Sequence, residues 1–527
     1  MHELLKMRRV KCFLCLIFLW FPSVTLENLD KNYAMSIYDL GELLNYNQVL
    51  VNHLEDYADK LQQRVDLISF GPCSFVEITK EKMTQAKGID SDPLSSFPLL
   101  RHMQYDWPNI LWHLEQRLGE AQATIISLLH SGLPTAKDLD ETLNGLYRIQ
   151  MIYNLNGSAM SRGLLMGVQH NYSLTPFEGY TIAKYLAEGG DYGGAKDWIS
   201  VALDLYLADG GNWDLYEQQG LSSDSLYELY VEVLDNLSED KEVPLAMMTE
   251  AIKRYPENHK LERALTRLEM SNRIGEEQET QKQEADDLST YFRCCSRECR
   301  RGSRLYCLYN TTARAFLRLA PLKMELLSLE PYVVLYHDVL SDREMFVLKS
   351  LAKNDLVRAV TYNETEKKHS EDSHRTTKAG WLNPRHKIIR RMGILTEDMT
   401  NLDLEGSEEF QVLNYGIGGH YAPHVDYFEV SDPYLPDRIA TLLFYLSDVP
   451  LGGATFFPMI DLSVIPKKGT VLMWYNLDHR GQGMETTFHS ACPVVVGSRW
   501  VMTKWINQPP QLFRRPCLRE HTEKKVA

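Results

Sequence analysis

The sequence predicts a multidomain chain with an all-helical N-terminal half and an antiparallel β domain, a sandwich or a barrel, in its C-terminal part. Three observations carry this. At 527 residues the chain is longer than a single hydrophobic core usually organises. Between residues 33 and 270 apolar positions recur mainly at helical spacing. After Pro321 the pattern changes to short β-rich runs separated by turns, without the strand–helix alternation of a parallel sheet.

The composition is globular, 44% hydrophobic and 24% charged. A formal net charge of −15 argues against a nucleic-acid partner, because phosphate binding needs a basic face. Lys6, Arg8, Arg9 and Lys11 precede an apolar run from Cys12 to Trp20, and small or polar residues follow at Pro22-Ser23-Val24-Thr25. This is the order of a secretory signal peptide over residues 1–25. The run is shorter than the roughly 20 apolar residues that span a bilayer, and no second candidate span follows. A soluble protein of the secretory pathway is therefore expected. Five Asn-x-Ser/Thr sequons, at Asn156, Asn171, Asn236, Asn310 and Asn363, fit that compartment. Without Cys12 and Cys15 seven cysteines remain, so at least one thiol is free or bonded to another chain. The spacings of Cys294, Cys295, Cys299 and Cys307 match no common zinc pattern, and disulfides are expected there.

Residues 33–68 carry Leu40, Leu44, Val51, Leu54, Ala58, Leu61 and Val65 at near-heptad spacing. Two readings are open: an amphipathic helix on the chain's own core, or a dimerising coiled coil within a region covering 26–140. Residues 141–274 contain paired helical patterns. One helix follows Thr175-Pro176, a Gly-Gly-Asp-Tyr-Gly-Gly turn ends it, and a second runs through Trp198 and Leu203. A further pair covers Leu226–Leu234 and Leu245–Tyr255 and ends at Pro256, which gives a tetratricopeptide-like pattern. Exposed tyrosine rings can pack on a polyproline II peptide, and Tyr192, Tyr227 and Tyr230 are the candidates. A charged linker and the cysteine cluster occupy 275–320, and the β domain takes 321–527 with a core at 409–508. Its expected strands are Tyr332–His337, Phe410–Tyr415, Ile439–Leu446, Ala454–Phe457, Val471–Tyr475 and Arg499–Ile506.

The chemistry lies in this last part. In the run Gly419 to Tyr427, His424 and Asp426 stand two apart, and on a strand such residues share a face. His489 follows 65 residues after His424, far enough to come from a distant strand. Two histidines and one carboxylate on one face of an octahedron, with open positions opposite, are the non-haem Fe(II) oxygenase arrangement. A keto-acid cosubstrate that chelates such an iron leaves a second carboxylate needing a cation. Arg499 and Lys504 lie on the final strand five apart, so only one faces the cavity; counting from His489, Arg499 is chosen. Tyr415 is the candidate hydroxyl for the same carboxylate. His420 and His479 are read as surface or turn residues.

Residues 411–517 resemble the catalytic domain of collagen prolyl 4-hydroxylase α subunits. The matching stretches are the segment from Asn414 through Tyr415-Gly416-Ile417-Gly418-Gly419 to Asp426, Arg438-Ile439-Ala440-Thr441, Phe444–Val449, Gly452-Gly453-Ala454-Thr455, Pro466–Thr470, Trp474–Leu477, His489–Val494 and Phe513-Arg514-Arg515-Pro516-Cys517. The resemblance implies a double-stranded β-helix (jelly-roll) fold with His424, Asp426 and His489 as iron ligands. It implies Fe(II), 2-oxoglutarate and ascorbate as cofactors, and hydroxylation of Pro in X-Pro-Gly sequences of a procollagen-like, Pro-rich peptide. It further implies protein disulfide isomerase as β subunit, residence in the endoplasmic reticulum lumen, a Cys492–Cys517 disulfide, and a pair between Cys307 and one of Cys294, Cys295 or Cys299. Alternatives are the same chemistry on another secretory substrate, or an inactive subunit binding only peptide or isomerase. The sequence departs from the family in three places. Arg499 stands where the family usually has Lys; the peptide-binding segment has Tyr192-Gly193 where adjacent tyrosines are usual and no Asn in His259–Met270; and extra cysteines near 294–299 leave the local disulfide pattern open. Arg is forked and bulkier than Lys, so cosubstrate affinity is expected to differ.

Overall fold

A computed structural model describes residues 33–65, 93–108, 119–208, 216–217, 219–237, 306–363, 368–370, 374–428 and 437–515, with single positions at 249, 252, 263, 266 and 295. The helical half opens with α1 (Ile37–Val65), followed by α2 (Pro93–Arg101), α3 (Gly119–Gly132) and α4 (Ala136–Ile152). The near-heptad face of α1 is used within the chain. Leu40, Leu43, Leu50, Val51, Leu54 and Tyr57 are buried in a core shared with α2, α3 and α4, and Leu44 and Ala58 pack against it. Over these residues the face packs against the same chain. Side chains 59–65 lie outside the described residues.

Helix α4 starts where a capping box sets it, with Thr135 and Asp138 each satisfying the other's backbone N–H. Next comes a helical hairpin, α5 (Pro176–Glu188) and α6 (Tyr192–Ala208). Pro176 occupies the first turn, where its missing N–H costs nothing, and Thr175 and Glu178 form a second capping box. The expected six-residue turn is shorter in the structure. Asp191 accepts a hydrogen bond from Gly194 N and so starts α6 at Tyr192. Helix α7 (Ser223–Leu237) packs on α6 through Leu226, Tyr227, Leu229, Tyr230, Val233 and Leu234. Tyr227 and Tyr230 are thus core residues, 6% exposed each, and not the peptide groove expected of them. At i and i+3 they fall on the one face of α7 that is buried. Tyr192 is half-buried. The expected partner helix at 245–255 lies outside the described residues apart from single positions.

The C-terminal part is sheet-rich. Its strands are β1 (Tyr306–Asn310), β2 (Leu322–Leu329), β3 (Tyr332–His337), β4 (Val357–Arg358), β5 (Lys378–Trp381), β6 (Gln411–Tyr415), β7 (Tyr421–His424), β8 (Arg438–Tyr445), β9 (Leu451–Gly452), β10 (Thr455–Phe457), β11 (Leu462–Val464), β12 (Val471–Tyr475), β13 (His489–Ala491), β14 (Val494–Val496) and β15 (Arg499–Asn507). Nine form one antiparallel sheet in the order β1-β2-β3-β12-β8-β15-β6-β5-β4, and four form a second in the order β7-β13-β10-β11. The six expected strands are all present, with ends moved by at most a residue or two.

Alternation explains why the central strands read as continuous apolar runs: both faces are buried. Leu413, Leu443, Leu472 and Val501 face the small sheet and pack with Phe457, Leu462, Val464, Ala491 and Val494. Val412, Leu442, Met473 and Met502 face the other way, onto α8 (Asp342–Ala352) and α9 (Lys387–Thr400). The arrangement is consistent with an oxygenase jelly-roll.

The two halves share a core. Ile417, Ala454, Phe456, Cys492, Val495 and Val496 belong to the same buried cluster as the helices. Lys378 and Asp39 make a buried ion pair, and Ser36 donates to Asn414 Oδ1 at 2.7 Å. Arg358 pairs with Glu141. Cys492, fully buried in this cluster, is disulfide-bonded to Cys295, with Cα atoms 5.7 Å apart. This corrects the expected Cys492–Cys517 pair: the one sulfur of Cys492 faces the helical half and is taken. The expected pairing of Cys307 is not made either, since that thiol is free and exposed on the outermost strand β1. Cys294, Cys299 and Cys517 lie outside the described residues.

Two predictions follow from these contacts. Lys378→Ala removes the cation paired with the buried Asp39 carboxylate, and denaturant midpoints are expected to report a loss of about 3 kcal/mol. A non-reducing peptide map is expected to contain a fragment joining Cys295 to Cys492, with Cys307 alkylated before any reduction.

Candidate metal centre

Strands β7 and β13 run antiparallel with His424 directly opposite His489. Directly opposed side chains in such a pair lie on one face and touch, and here the two imidazole centroids are 4.4 Å apart. Asp426 follows just past the end of β7. Its Oδ1 lies 3.6 Å from His424 Nε2 and its Oδ2 lies 3.7 Å from His489 Nε2. One donor atom from each of the three residues falls within 4.8 Å of the others, a group that could hold a metal ion.

The rings are fixed by their other nitrogens. His424 Nδ1 lies 2.8 Å from Ala422 O, and His489 Nδ1 lies 2.9 Å from Thr487 O. A carbonyl only accepts, so each Nδ1 carries a proton, and in the neutral tautomer this selects it is Nε2 that offers a lone pair to the shared space. Tyr421 stacks on His424 at 3.6 Å, and Trp474 meets His489 edge-on at 4.7 Å. Thr441 Oγ1 donates to Asp426 Oδ2 at 2.8 Å and itself accepts from Asn476 Nδ2 at 2.9 Å.

The electrostatics suit metal ligation. Burial alone would raise the Asp426 carboxyl, but His489, His424 and Arg438 outweigh it and hold the group well below the usual carboxylate range. Burial, then repulsion from His424, brings His489 down to about 4. At neutral pH Asp426 is ionised and His489 is neutral, the states a metal requires.

Beside the ligands lies the cation. Arg499 opens β15 opposite Tyr415, the last residue of β6, and is only 2% exposed. Its Nη2 donates to Thr455 Oγ1 at 3.1 Å, its Cζ lies 4.7 Å from the Tyr415 ring centroid, and Nε and Nη1 have no protein partner. A buried guanidinium with unmet donors fits a dry carboxylate, so these residues suit a keto-acid cosubstrate on a metal held by the other three. Lys504 faces the opposite side of the sheet, bonded to Glu408 O.

The structure thus gathers His424, Asp426, His489, Arg499 and Tyr415 around one pocket, which Tyr192, Tyr227 and Tyr230 do not line. His479 is exposed as expected. His420 lies in the turn before β7, as expected, but is buried there, with Nδ1 2.9 Å from Thr376 Oγ1. Sequence reasoning missed Thr441 and Thr455. Parity would have found Thr441, since it shares the inward face of β8 with Leu443 and Tyr445. Tyr445 OH shares Thr455 Oγ1 with Arg499, and burial pushes this phenol up to about 12, so it stays protonated.

Residues 410–507 match the model of the 2OG-Fe(II) oxygenase superfamily, a span that contains all five pocket residues named above. Residues 36–167 match that of the prolyl 4-hydroxylase alpha-subunit N-terminal region. The prolyl 4-hydroxylase subunit alpha-1 of Rattus norvegicus is 30% identical over 520 residues, covering 92% of this chain and 95% of its own. Subunit alpha-3 of Bos taurus is 32% identical over 464 residues, covering 81% and 84%. Among solved structures, the viral collagen prolyl hydroxylase of Paramecium Bursaria Chlorella virus-1 in its 2OG complex is 27% identical, covering 33% of this chain and 95% of its own, at a TM-score of 0.29. The catalytic part is accordingly that of a 2OG-Fe(II) oxygenase. The chain as a whole belongs to the prolyl 4-hydroxylase α-subunit family.

Thr441→Val keeps the shape of the site but leaves Asp426 without its hydroxyl donor. Mn(II) titration is expected to show metal affinity reduced about 10- to 100-fold, as for other partners of metal ligands, with an unchanged circular dichroism spectrum.

Proposed function

We propose that this chain is the α subunit of a procollagen-proline 4-dioxygenase, hydroxylating Pro in X-Pro-Gly sequences of a procollagen-like peptide. The observation that carries this reading is the His424–Asp426–His489 group beside the buried, partly unpaired guanidinium of Arg499. In this reading the three residues ligate Fe(II), and Arg499 with Tyr415 takes the far carboxylate of 2-oxoglutarate. The iron and 2-oxoglutarate, when bound, supply the oxygen chemistry: one atom of O₂ enters the Pro hydroxyl and the other enters succinate as CO₂ leaves.

The protein's own residues do the rest. Asp426 and the two Nε2 atoms would supply three ligands to the iron, a set that leaves room for cosubstrate and O₂. Arg499 orients the cosubstrate by two of its donors while Thr455 holds the third nitrogen. Leu413 and Leu443, lining the same pocket, exclude water, which strengthens that ion pair. Ascorbate is the reductant this reading calls for. A double-stranded β-helix and tetratricopeptide-like peptide-binding helices complete the reading, as do protein disulfide isomerase as partner and the endoplasmic reticulum lumen as location.

The test uses the chain co-expressed with protein disulfide isomerase and given Fe(II), ascorbate, 2-oxoglutarate and a (Pro-Pro-Gly) repeat peptide. Hydroxyproline before Gly, matched by CO₂ release, is expected, and His489→Ala is expected to abolish both. Arg499→Ala is expected to raise the KM for 2-oxoglutarate at least tenfold, the cost of losing a charged, buried hydrogen-bonding partner. CO₂ without hydroxyproline would point to another Pro-containing secretory substrate. Neither product from assembled protein would remove the enzymatic reading.

A further inference from the structure

The turn Gly416–His420 joins the strand that ends in Tyr415 to the strand that ends in His424, so its placement sets the cosubstrate end of the pocket against the metal end. Helix α4, from the other half of the chain, lies across it. Gly145 meets the turn backbone to backbone: a Cβ there would stand 2.3 Å from Ile417 O. Reciprocally, a Cβ on Gly418, at φ +57°, would stand 2.2 Å from Gly145 O. One helical turn on, Arg148 Nη1 donates to Gly418 O at 2.9 Å and reaches Thr376 Oγ1 at 3.5 Å. That hydroxyl accepts the backbone N–H of His420 at 3.0 Å.

The C-terminal end of the same helix grips the other side of the site. Tyr153, its C-cap, donates to Pro493 O at 2.6 Å, two residues past β13 with its His489. Pro493 O also accepts from Gly453 N at 2.9 Å, two residues before the Thr455 that holds Arg499. On its far side, α4 reaches the α5–α6 hairpin. Tyr147 OH bonds Asp191 in the hairpin turn.

We propose that Arg148 and Tyr153 are positioning residues for the oxygenase site, through which helix α4 holds the turn before His424 and the segment after His489 in register. The inference rests on the reading of the site as an Fe(II)/2-oxoglutarate centre.

The test uses the full chain assembled with protein disulfide isomerase. Mn(II) and 2-oxoglutarate are titrated anaerobically, the metal followed by electron paramagnetic resonance, and the ratio of CO₂ to hydroxyproline is measured during turnover. Arg148→Ala is expected to weaken binding of 2-oxoglutarate to the Mn(II) protein about tenfold and to raise CO₂ release relative to hydroxyproline. Arg148→Lys, which can still donate to Gly418 O, is expected to recover most of the loss. Tyr153→Phe deletes one hydroxyl and keeps the packing, and is expected to shift the same quantities about threefold to fivefold, the scale of one hydrogen bond; it carries the test should Arg148→Ala not fold. Unchanged binding and coupling in these variants, whatever their melting temperatures, would overturn the proposal. Wild-type protein that binds neither Mn(II) nor 2-oxoglutarate would instead sink the reading of the site itself.

Discussion

The antiparallel pairing of Tyr421–His424 with His489–Ala491 is the constraint on which the rest of the site depends. Two residues 65 apart in sequence become direct neighbours only if the register is held without slippage. A slip of one residue in either strand would turn its imidazole to the other face, away from its partner. The ladder between these two strands is short, and it shifts between Tyr421 and His424. Register must therefore come from what packs around it: Trp474 and Phe457 against His489, Tyr421 against His424, and the pairing of β13 with β10.

Around that pair the charges are placed at a cost that the pocket's chemistry explains. Asp426 is buried and ionised, with one oxygen held by Thr441 and both facing imidazoles. Arg499 is buried with one of its three nitrogens satisfied. An isolated buried cation of this kind disfavours folding by several kcal/mol. The surrounding sheet tolerates it because β15 is central to the nine-stranded sheet and bonded along both edges, so the strand cannot yield. Stability is given up at the point where a carboxylate would restore it.

Much of this was legible because strands have a strict period of two. The separation of His424 and Asp426 by two, and of Arg499 and Lys504 by five, sorted inward from outward residues correctly. The runs Val412-Leu413, Leu442-Leu443 and Val501-Met502 announced strands buried on both faces. What was not legible concerns contacts between distant parts of the chain. Helical periodicity says that Tyr227 and Tyr230 share a face but not whether that face meets solvent or α6, and the structure buries it. The Cys295–Cys492 bridge closes 197 residues, and nothing in local spacing distinguishes it from a link to Cys517. The near-heptad face of α1 is equally compatible with a partner chain and with its own core, and spacing alone does not say that Leu40, Leu50 and Leu54 are buried within the chain.

The seam between the halves also accounts for the composition of the turn before His424. Three of its five residues are glycine, Gly416, Gly418 and Gly419. The crossing with Gly145 demands Gly418, since a side chain on either of these two would drive into the opposing backbone, and Gly418 in addition adopts a positive φ; a side chain on Gly419 would instead crowd Gly416 N at 2.9 Å and Thr376 O at 3.0 Å. Glycine is the residue least able to hold its own conformation, because it has the most backbone freedom to lose. A turn built for close approach is therefore too soft to place a metal-binding strand by itself. The helix that makes the close approach necessary also supplies what the turn lacks, a carbonyl pinned by Arg148 and an amide pinned through Thr376. The sheet domain's pocket is in this sense completed by the helical half, and the glycines and the arginine form a single solution to one packing problem.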